Sequence, residues 1–312
     1  MKLLKEYRFD AMISVGLPFT AHWISKALKT KSPGLHWLVD IEDPFCYSKE
    51  FFVNNNQLYN WTNRRAERAV FSQAQAITVT LDNAKERYVE IFPEAASKMR
   101  VIPPLFNLPL LNPKDLGIEG PVRMAYFGSF YENVRTPMEF LELLQKCFEI
   151  EPLLIERLEV HFYGELTGMV MENFRKFPKL APVFHFHGLV SRQEVAEALQ
   201  SVDILLNIGN KTDYHLPSKS VDYLMSGKPV ISLSYVANDP FSNLFDAYPL
   251  FKALHVENHY FGKLNQLASQ FLDFILQNRG KKVPRRLLDK LGQPYRVEVI
   301  AELYLQLLRE GQ

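Results

Sequence analysis

The sequence predicts an α/β protein with two domains, each built on a mostly parallel sheet. Short runs of β-branched and aromatic residues alternate with longer amphipathic stretches, which is the pattern of βαβ units. The length of 312 residues suits two domains at roughly 150 residues each. The segment Pro103–Pro121 is rich in proline and glycine and has no clear period, so it predicts the linker between the domains.

We expect the first domain to cover residues 1–110. The pattern predicts four strands there, fewer than the roughly six or seven usual for such a domain. These strands are Asp10–Val15, Leu35–Val39, Ala76–Thr80 and Met99–Ile102, and the intervening helices are Phe19–Lys29, Asn56–Phe71 and Asn83–Ile91.

The second domain is expected at residues 120–294. Two of its helices begin with a capping-box pattern, Thr136 with Glu139 and Ser191 with Glu194, and Gly227 is expected to end a third. The predicted strands are Val122–Phe127, Leu158–Tyr163, Val183–His187, Asp203–Ile208 and Pro229–Leu233, and the helices are Pro137–Phe148, Ser191–Gln200, Pro217–Ser226 and Phe261–Gln277.

The last predicted helix, Val297–Leu308, carries an apolar stripe that must be buried. We expect residues 295–312 to return to the first domain, which is short of strands and offers an uncovered surface. The stripe consists of Val297, Ile300, Ala301, Tyr304 and Leu308.

Composition excludes several classes of protein. Hydrophobic residues make up 47% and charged residues 23%, which excludes a disordered or low-complexity chain. A net charge of +1 gives no reason to expect nucleic acid as a partner. Two cysteines, Cys46 and Cys147, are too few for a disulfide framework, and no apolar run reaches membrane-spanning length. We therefore expect a cytoplasmic protein without a secretory signal; the sequence leaves its oligomeric state unknown.

Two further signals have competing interpretations. His185 and His187 share one face of a predicted strand, but no cysteine or carboxylate with ligand spacing accompanies them, so we expect no metal. A basic cluster suits either anionic lipid at the inner membrane face or an ordinary solvated helix end. Its members are Arg279, Lys281, Lys282, Arg285 and Arg286.

Ligands of open α/β sheets bind at the carboxyl ends of the strands, so the loops there carry the functional prediction. After the first strand of the second domain, Gly128 lets the backbone approach a ligand closely, and Arg135 precedes a helix N-terminus that favours anions. A solvated arginine in an ordinary βα loop is the alternative.

The loop before the helix Pro217–Ser226 is the more informative one. Pro217 leaves the amides of Ser218, Lys219 and Ser220 free to hold a phosphate. Asp222 lies one turn further on, where its carboxylate suits a ribose diol or merely the positive helix end.

These residues lie in a run with a family resemblance. LPSKSVDYLMSGKPVIS (Leu216–Ser232), preceded by HFHGLVSRQEVAEALQSVD (His185–Asp203), resembles the donor-nucleotide segment of glycosyltransferase family 4, which has the GT-B fold. MAYFGSFYENVRTPMEFLELL (Met124–Leu144) is similar to the start of that family's second domain, and FDAMISVGLPFTAHWISKALK with HWLVDIEDPF resembles part of its first domain.

The resemblance implies two Rossmann-like domains with parallel sheets facing a cleft, and sugar transfer with retention from a nucleotide sugar to a glycan or lipid-linked acceptor, as in polysaccharide biosynthesis, without a metal or other cofactor. It implies that the catalytic or acceptor-side residues are His22 and Asp43, and that the donor-binding residues are Gly128, Ser129, Arg135, Leu216, Ser218, Lys219 and Asp222.

The chain departs from the family pattern in three places. Tyr214 stands eight residues before Asp222, where the family usually has a second acidic residue, although Asp213 adjoins it. At the position near the first donor loop where the family commonly has a lysine, the nearest equivalent is Arg135. Judged against the roughly six or seven strands usual for such a domain, we expect about the first two βα units to be missing. Two alternatives therefore stay open: a weak or inactive nucleotide-sugar-binding subunit that partners another chain, and a nucleotide-sugar epimerase.

Overall fold

The computed structural model describes residues 6–48, 55–108, 119–131, 134–256 and 260–310. Contacts divide the chain into two compact units. The first comprises residues 1–105, 214–216 and 294–312, and the second comprises residues 106–213 and 217–293. Most of the predicted linker, residues 109–118, lies outside the described part of the chain.

The first unit is built on a four-stranded parallel sheet with the order β1-β2-β3-β4. All four strands correspond to predicted ones. The strands are β1 (Ala11–Gly16), β2 (His36–Ile41), β3 (Ala76–Val79) and β4 (Met99–Val101), and the helices between them are α1 (Thr20–Lys31), α2 (Asn56–Phe71) and α3 (Asp82–Ile91).

Alternate residues of β2 face two separate apolar clusters. Trp37 and Val39 pack with the helices that connect the strands. Leu38 packs on the other side with Ile300 and Leu307 of the last helix, α11 (Val297–Arg309). Tyr304 of α11 donates a hydrogen bond of 2.8 Å to Asp40 at the end of β2. The last helix thus covers one face of the first sheet.

The buried stripe of α11 differs from the predicted one. Val297 and Ala301 are exposed, whereas Leu303 and Leu307 contribute to the apolar cluster. Ile300, Tyr304 and Leu308 belong to both versions of the stripe. The observed stripe runs from Ile300 through Leu303, Tyr304 and Leu307 to Leu308, which is the three- and four-residue spacing of one helix face.

The second unit contains a six-stranded parallel sheet in the order β10-β9-β8-β5-β6-β7. The chain starts in the centre at β5, moves out to β7, and returns to the other side of β5 with β8. This is the doubly wound order, and ligands of such sheets bind where the direction reverses. The strands are β5 (Val122–Phe127), β6 (Leu158–Tyr163), β7 (Phe184–Gly188), β8 (Ile204–Ile208), β9 (Val230–Ser234) and β10 (Phe251–His255).

The helices of the second unit follow the strands. The predicted capping box is present at α6, where Ser191 and Glu194 bond each other's backbone, and Gly227 ends α7 with φ 73°. The helices are α4 (Met138–Ile150), α5 (Gly168–Arg175), α6 (Arg192–Ser201), α7 (Lys219–Ser226), α8 (Pro240–Leu244), α9 (Leu264–Asn278) and α10 (Arg285–Gly292).

Some local predictions were wrong or incomplete. The Thr136 hydroxyl bonds the Glu139 carboxylate at 3.0 Å and does not cap α4, whose first turn begins after Pro137. Strand β10 and three short helices, α5, α8 and α10, were not predicted. None of the helices in the described residues is long and apolar enough to cross a membrane.

Candidate functional site

A cavity of about 310 Å³ opens in the second unit, where the loops after β5 and β8 diverge from the centre of the sheet. This is the reversal point at which doubly wound sheets bind ligands. Its lining comes from the β5 loop, from the start of α6 and from the start of α7. The lining residues are Leu108, Phe127, Gly128, Ser129, Tyr131, Arg135, Arg192, Val195, Pro217, Ser218, Lys219 and Asp222.

We call this cavity the donor pocket, after the role that the family resemblance implies for its lining residues. Lys219 places a buried ammonium group in it. Its Nζ lies 3.8 Å from the centroid of the Tyr126 ring and 5.4 Å from that of Tyr223. The ring faces stabilise the cation in part. The Nζ atom is buried and has no hydrogen-bond partner among the described residues. Burial, and secondly the charge of Arg135, hold the pKa of Lys219 well below its usual range.

Arg135 adds a second buried cation to the donor pocket. Its backbone is fixed because Arg135 and Tyr131 exchange backbone hydrogen bonds of 2.8 and 3.0 Å. The residue is only 9% exposed, and its Nε has no partner within the described part of the chain. No described carboxylate forms an ion pair with either Arg135 or Lys219. Buried charges are normally paired, so this pair of cations indicates a site for an anion.

Gly128 keeps the entrance to these cations open. Its φ of +134° lies in a region that other residues rarely adopt, and a side chain there would contact the Tyr126 hydroxyl and approach the Lys219 ammonium. Its N–H donates to the carbonyl of Tyr163 at 2.7 Å, which anchors the loop to β6. Ser129 is held by the Tyr126 hydroxyl, which donates to its carbonyl at 3.3 Å.

Asp222 lies in the first turn of α7 and faces the same pocket. Burial raises the pKa of its carboxyl to about 6, and the charge of Arg192 opposes this shift. The carboxylate is therefore the ionised form at neutral pH, although it has lost part of its hydration. It offers hydrogen-bond acceptors beside the two cations.

The start of α7 offers fewer free backbone N–H groups for a phosphate than the sequence predicts. The Ser220 N–H donates to the Pro217 carbonyl at 2.9 Å, so it belongs to the turn. Ser218 precedes the helix and is exposed at the pocket edge. Lys219, which was predicted to act through its amide, contributes a buried ammonium group as well.

Leu216 does not line the donor pocket. It belongs with Tyr214 and His215 to the first unit. There the Tyr214 ring packs on Tyr47, with the centroids 5.1 Å apart, and the Arg87 guanidinium lies 4.7 Å from its centroid. Tyr214, at the position where the resembling family has an acidic residue, thus has a packing role in the first unit.

His22 and Asp43 also lie in the first unit. His22 is 2% exposed, and burial lowers its pKa to about 4. The Trp37 indole donates to Ser14 Oγ at 2.9 Å, which directs the Ser14 proton to His22 Nδ1 at 2.8 Å. Asp43 is about half exposed, lies 3.4 Å from His215 Nε2, and has its pKa raised by burial. Of the two, Asp43 is the more accessible to a ligand.

Two lining residues with polar side chains were not predicted from the sequence to belong to the donor pocket. Arg192 occupies the first position of α6, where the capping-box signal predicted only a helix start. Tyr131 lies in the β5 loop, half-exposed at the pocket wall. The basic cluster near residue 280 is partly engaged elsewhere, since Arg279 donates to the carbonyls of Glu119, Gly120 and Pro121.

No family model and no curated protein sequence matches the chain. Solved structures do match it. Sucrose-phosphate synthase from Thermosynechococcus elongatus aligns with a TM-score of 0.68 and 16% identity, over 99% of this chain and 75% of that one. Anabaena HepE, solved in complex with UDP and glucose, aligns with a TM-score of 0.66 and 13% identity, over 99% and 79%.

A third match is the apo form of the lipopolysaccharide outer core galactosyltransferase WaaB, with a TM-score of 0.62 and 13% identity, over 100% of this chain and 78% of that one. The fold is GT-B-like. The α/β class and the two parallel sheets predicted from the sequence are confirmed.

Proposed function

We propose that the chain is a GT-B-type glycosyltransferase that binds a nucleotide sugar in the donor pocket of its second unit. The observation that carries this proposal is the pair of buried cations, Arg135 and Lys219, which have no carboxylate partner among the described residues. A diphosphate carries the charge that both cations need. The pocket also lies at the reversal point of a doubly wound sheet.

The same geometry orients the nucleotide. With the diphosphate against Lys219 and Arg135, Asp222 lies one helical turn beyond Ser218 on the same face of α7. Its carboxylate can accept two hydrogen bonds from the ribose diol. We therefore assign diphosphate binding to the two cations and ribose binding to Asp222. Since protein cations neutralise the diphosphate, donor binding needs no divalent ion.

The acceptor is proposed to be a glycan or a lipid-linked saccharide, with the anomeric configuration of the sugar retained. Asp43 suits an acceptor-side role because its carboxylate is about half exposed. The imidazole of His22 is buried and bonded to Ser14.

Calorimetric titration tests donor binding. UDP is the first probe because the similar structure of HepE contains it. We expect binding to the wild-type protein, unchanged after chelation of divalent ions, and about 10–100-fold weaker binding to Lys219→Met, the range for hydrogen bonds to charged groups. Lys211→Met is the matched control, because Lys211 is exposed and its ammonium pairs with Glu139 at 3.1 Å.

Turnover is tested separately, by release of nucleoside diphosphate from a panel of nucleotide sugars in the presence of oligosaccharide acceptors. Release that depends on the acceptor supports the transferase. Binding without release by any member of the panel would favour the binding-only subunit instead. Loss of UDP binding on chelation, or equal affinity of the Lys219→Met variant, would contradict the assigned site.

A further inference from the structure

Four polar side chains share one face of the β6–β7 edge of the second sheet. Glu159 and His161 alternate along β6, and His185 and His187 alternate along β7. The parallel register places His161 directly opposite His185. The other face of β6 is apolar, with Val160 and Phe162 buried in the core. Nothing in the packing of a sheet requires three imidazoles and a carboxylate in this place.

The distances within this edge cluster, Glu159, His161, His185 and His187, suit a metal ion. One ligand atom each from Glu159, His161 and His185 can be chosen so that all lie within 4.8 Å of one another. The ligands of a tetrahedral Zn²⁺ ion lie about 3.3 Å apart, given bonds of roughly 2.0–2.1 Å. All three side chains are half-buried at the edge of the sheet, so small rotations can close the difference.

His187 fixes the orientation of His161. Nδ1 of His161 and Nε2 of His187 lie 2.9 Å apart and share a hydrogen bond. The remaining nitrogen of His161, Nε2, is buried, has no hydrogen-bond partner among the described residues, and lies 3.4 Å from the Glu159 carboxylate. When His161 donates from Nδ1, the lone pair of Nε2 points to the side of the carboxylate. A histidine ligand is commonly held in this way through its second nitrogen.

The charges around the edge cluster also favour a cation. The imidazoles of His161 and His185 stack with centroids 4.7 Å apart. Among the described residues, Arg123 competes weakly for Glu159, since its Nε lies 3.8 Å from the carboxylate in a partly exposed pair.

We propose that this edge cluster binds one divalent transition-metal ion of the zinc class, with Glu159, His161 and His185 as ligands and His187 as the residue that positions His161. Water completes the coordination. The ion would tie the edge strand β7 to β6 and stabilise the second unit. None of these residues lines the donor pocket, so the proposal does not depend on the proposed function.

The test uses the full-length, untagged protein after dialysis against a chelator, titrated with Zn²⁺ alone and, in parallel, with Co²⁺ while its visible spectrum is recorded. We expect one tight site per chain, a tetrahedral Co²⁺ spectrum and a higher unfolding temperature with Zn²⁺. His185→Gln should remove the site. His187→Gln should weaken it about 10–100-fold, the usual effect of losing a residue that orients a ligand.

His255→Gln is the matched control, because His255 is exposed on β10, the opposite edge of the same sheet. It should leave Zn²⁺ affinity unchanged. Glu159→Gln gives a second ligand variant at a partly exposed position, should His185→Gln fail to fold. Absence of stoichiometric Zn²⁺ binding, or affinity that is equal in the wild type, His185→Gln and Glu159→Gln, would overturn the proposal.

Discussion

The two units treat their buried charges differently. In the first unit, the carboxylate of Glu67 is fully buried and accepts hydrogen bonds from the Tyr88 hydroxyl at 2.7 Å and the Cys46 amide at 3.2 Å. In the second unit, the ammonium of Lys219 is buried against two aromatic rings and has no hydrogen-bond partner among the described residues. The Glu67 carboxyl has hydrogen-bond partners within the protein, whereas the Lys219 ammonium would obtain a partner only from a bound ligand.

This difference separates structural polar groups from functional ones. A buried group whose hydrogen bonds are satisfied contributes to a unique packing. A buried cation without a partner costs stability, and a protein retains such a cost where a ligand offsets it. By this criterion the Glu67 cluster is structural, whereas the hydrogen bonds from Trp37 through Ser14 to His22 fix the position of the imidazole. The donor pocket is the functional site that we propose on this ground.

The largest expected effect concerns Glu67. Burial raises the pKa of its carboxyl to about 7, although the hydrogen bonds from Cys46 and Tyr88 oppose this shift. A carboxyl with a raised pKa binds more protons in the folded than in the unfolded state, so its contribution to the free energy of unfolding falls as pH rises from about 4.5 to about 7. We expect a loss of about 2–3 kcal/mol between pH 5 and pH 7.5, at roughly 1.4 kcal/mol per pKa unit.

The measurement is urea unfolding of the wild type and Glu67→Gln at both pH values, followed by tryptophan fluorescence. All three tryptophans, Trp23, Trp37 and Trp61, belong to the first unit, so the signal reports on it. The difference between the two proteins isolates Glu67, because His22, with a pKa lowered to about 4, has the opposite pH dependence in both. A difference in the free energy of unfolding between the two proteins that does not change with pH would contradict the raised pKa of Glu67.

The second effect sharpens the functional side of the comparison. Asp222→Ala should weaken UDP binding by about 1.5–3 kcal/mol, the range for hydrogen bonds to a charged group. Calorimetry measures this directly, and circular dichroism shows whether the variant is folded. Unchanged affinity in a folded variant would make Asp222 a carboxylate that serves only the N-terminus of α7.

A smaller effect follows from the pKa of Asp222, which burial raises to about 6. Protonation below this pH removes acceptors for the ribose, so affinity for a nucleotide sugar should fall about tenfold from pH 7.5 to pH 5. Asp222→Asn should lack this part of the pH dependence. The quantity to measure is the ratio of the wild-type affinity to the Asp222→Asn affinity, because Arg135 and Lys219 affect both proteins alike. A constant ratio across this range would contradict the ribose assignment.

Much of the fold could be predicted because its signals are local. Buried parallel strands read as apolar runs, and β5 and β6 were predicted with the bounds they have. The capping box of α6 and Gly227 after α7 are fixed by neighbours within a few residues. Strand β10 was missed because Phe251–His255 mixes a lysine and a histidine into a short, half-buried edge strand.

The donor pocket was predicted in part for the same reason. Gly128 directly follows a strand, Arg135 precedes a helix, and Asp222 lies in the first turn of another helix. The topology of the sheet brings such positions together. The side-chain role of Lys219 could not be predicted, because it depends on Tyr126, which is 93 residues away in the sequence and lies beside it only in the fold. The edge cluster was missed likewise: His185 lacks a nearby carboxylate in sequence and obtains Glu159 from the neighbouring strand.

In our proposal, the cations of the donor pocket are retained for a ligand at the expense of stability. Thermal unfolding of the wild type and Lys219→Met, each with and without saturating UDP, tests it in a single experiment. We expect the empty variant to unfold above the empty wild type, by roughly 2–4 °C if removing the buried charge gains about 1 kcal/mol. UDP should raise the unfolding temperature of the wild type and have little effect on the variant. A variant that is less stable when empty and is stabilised by UDP as much as the wild type would contradict the claim.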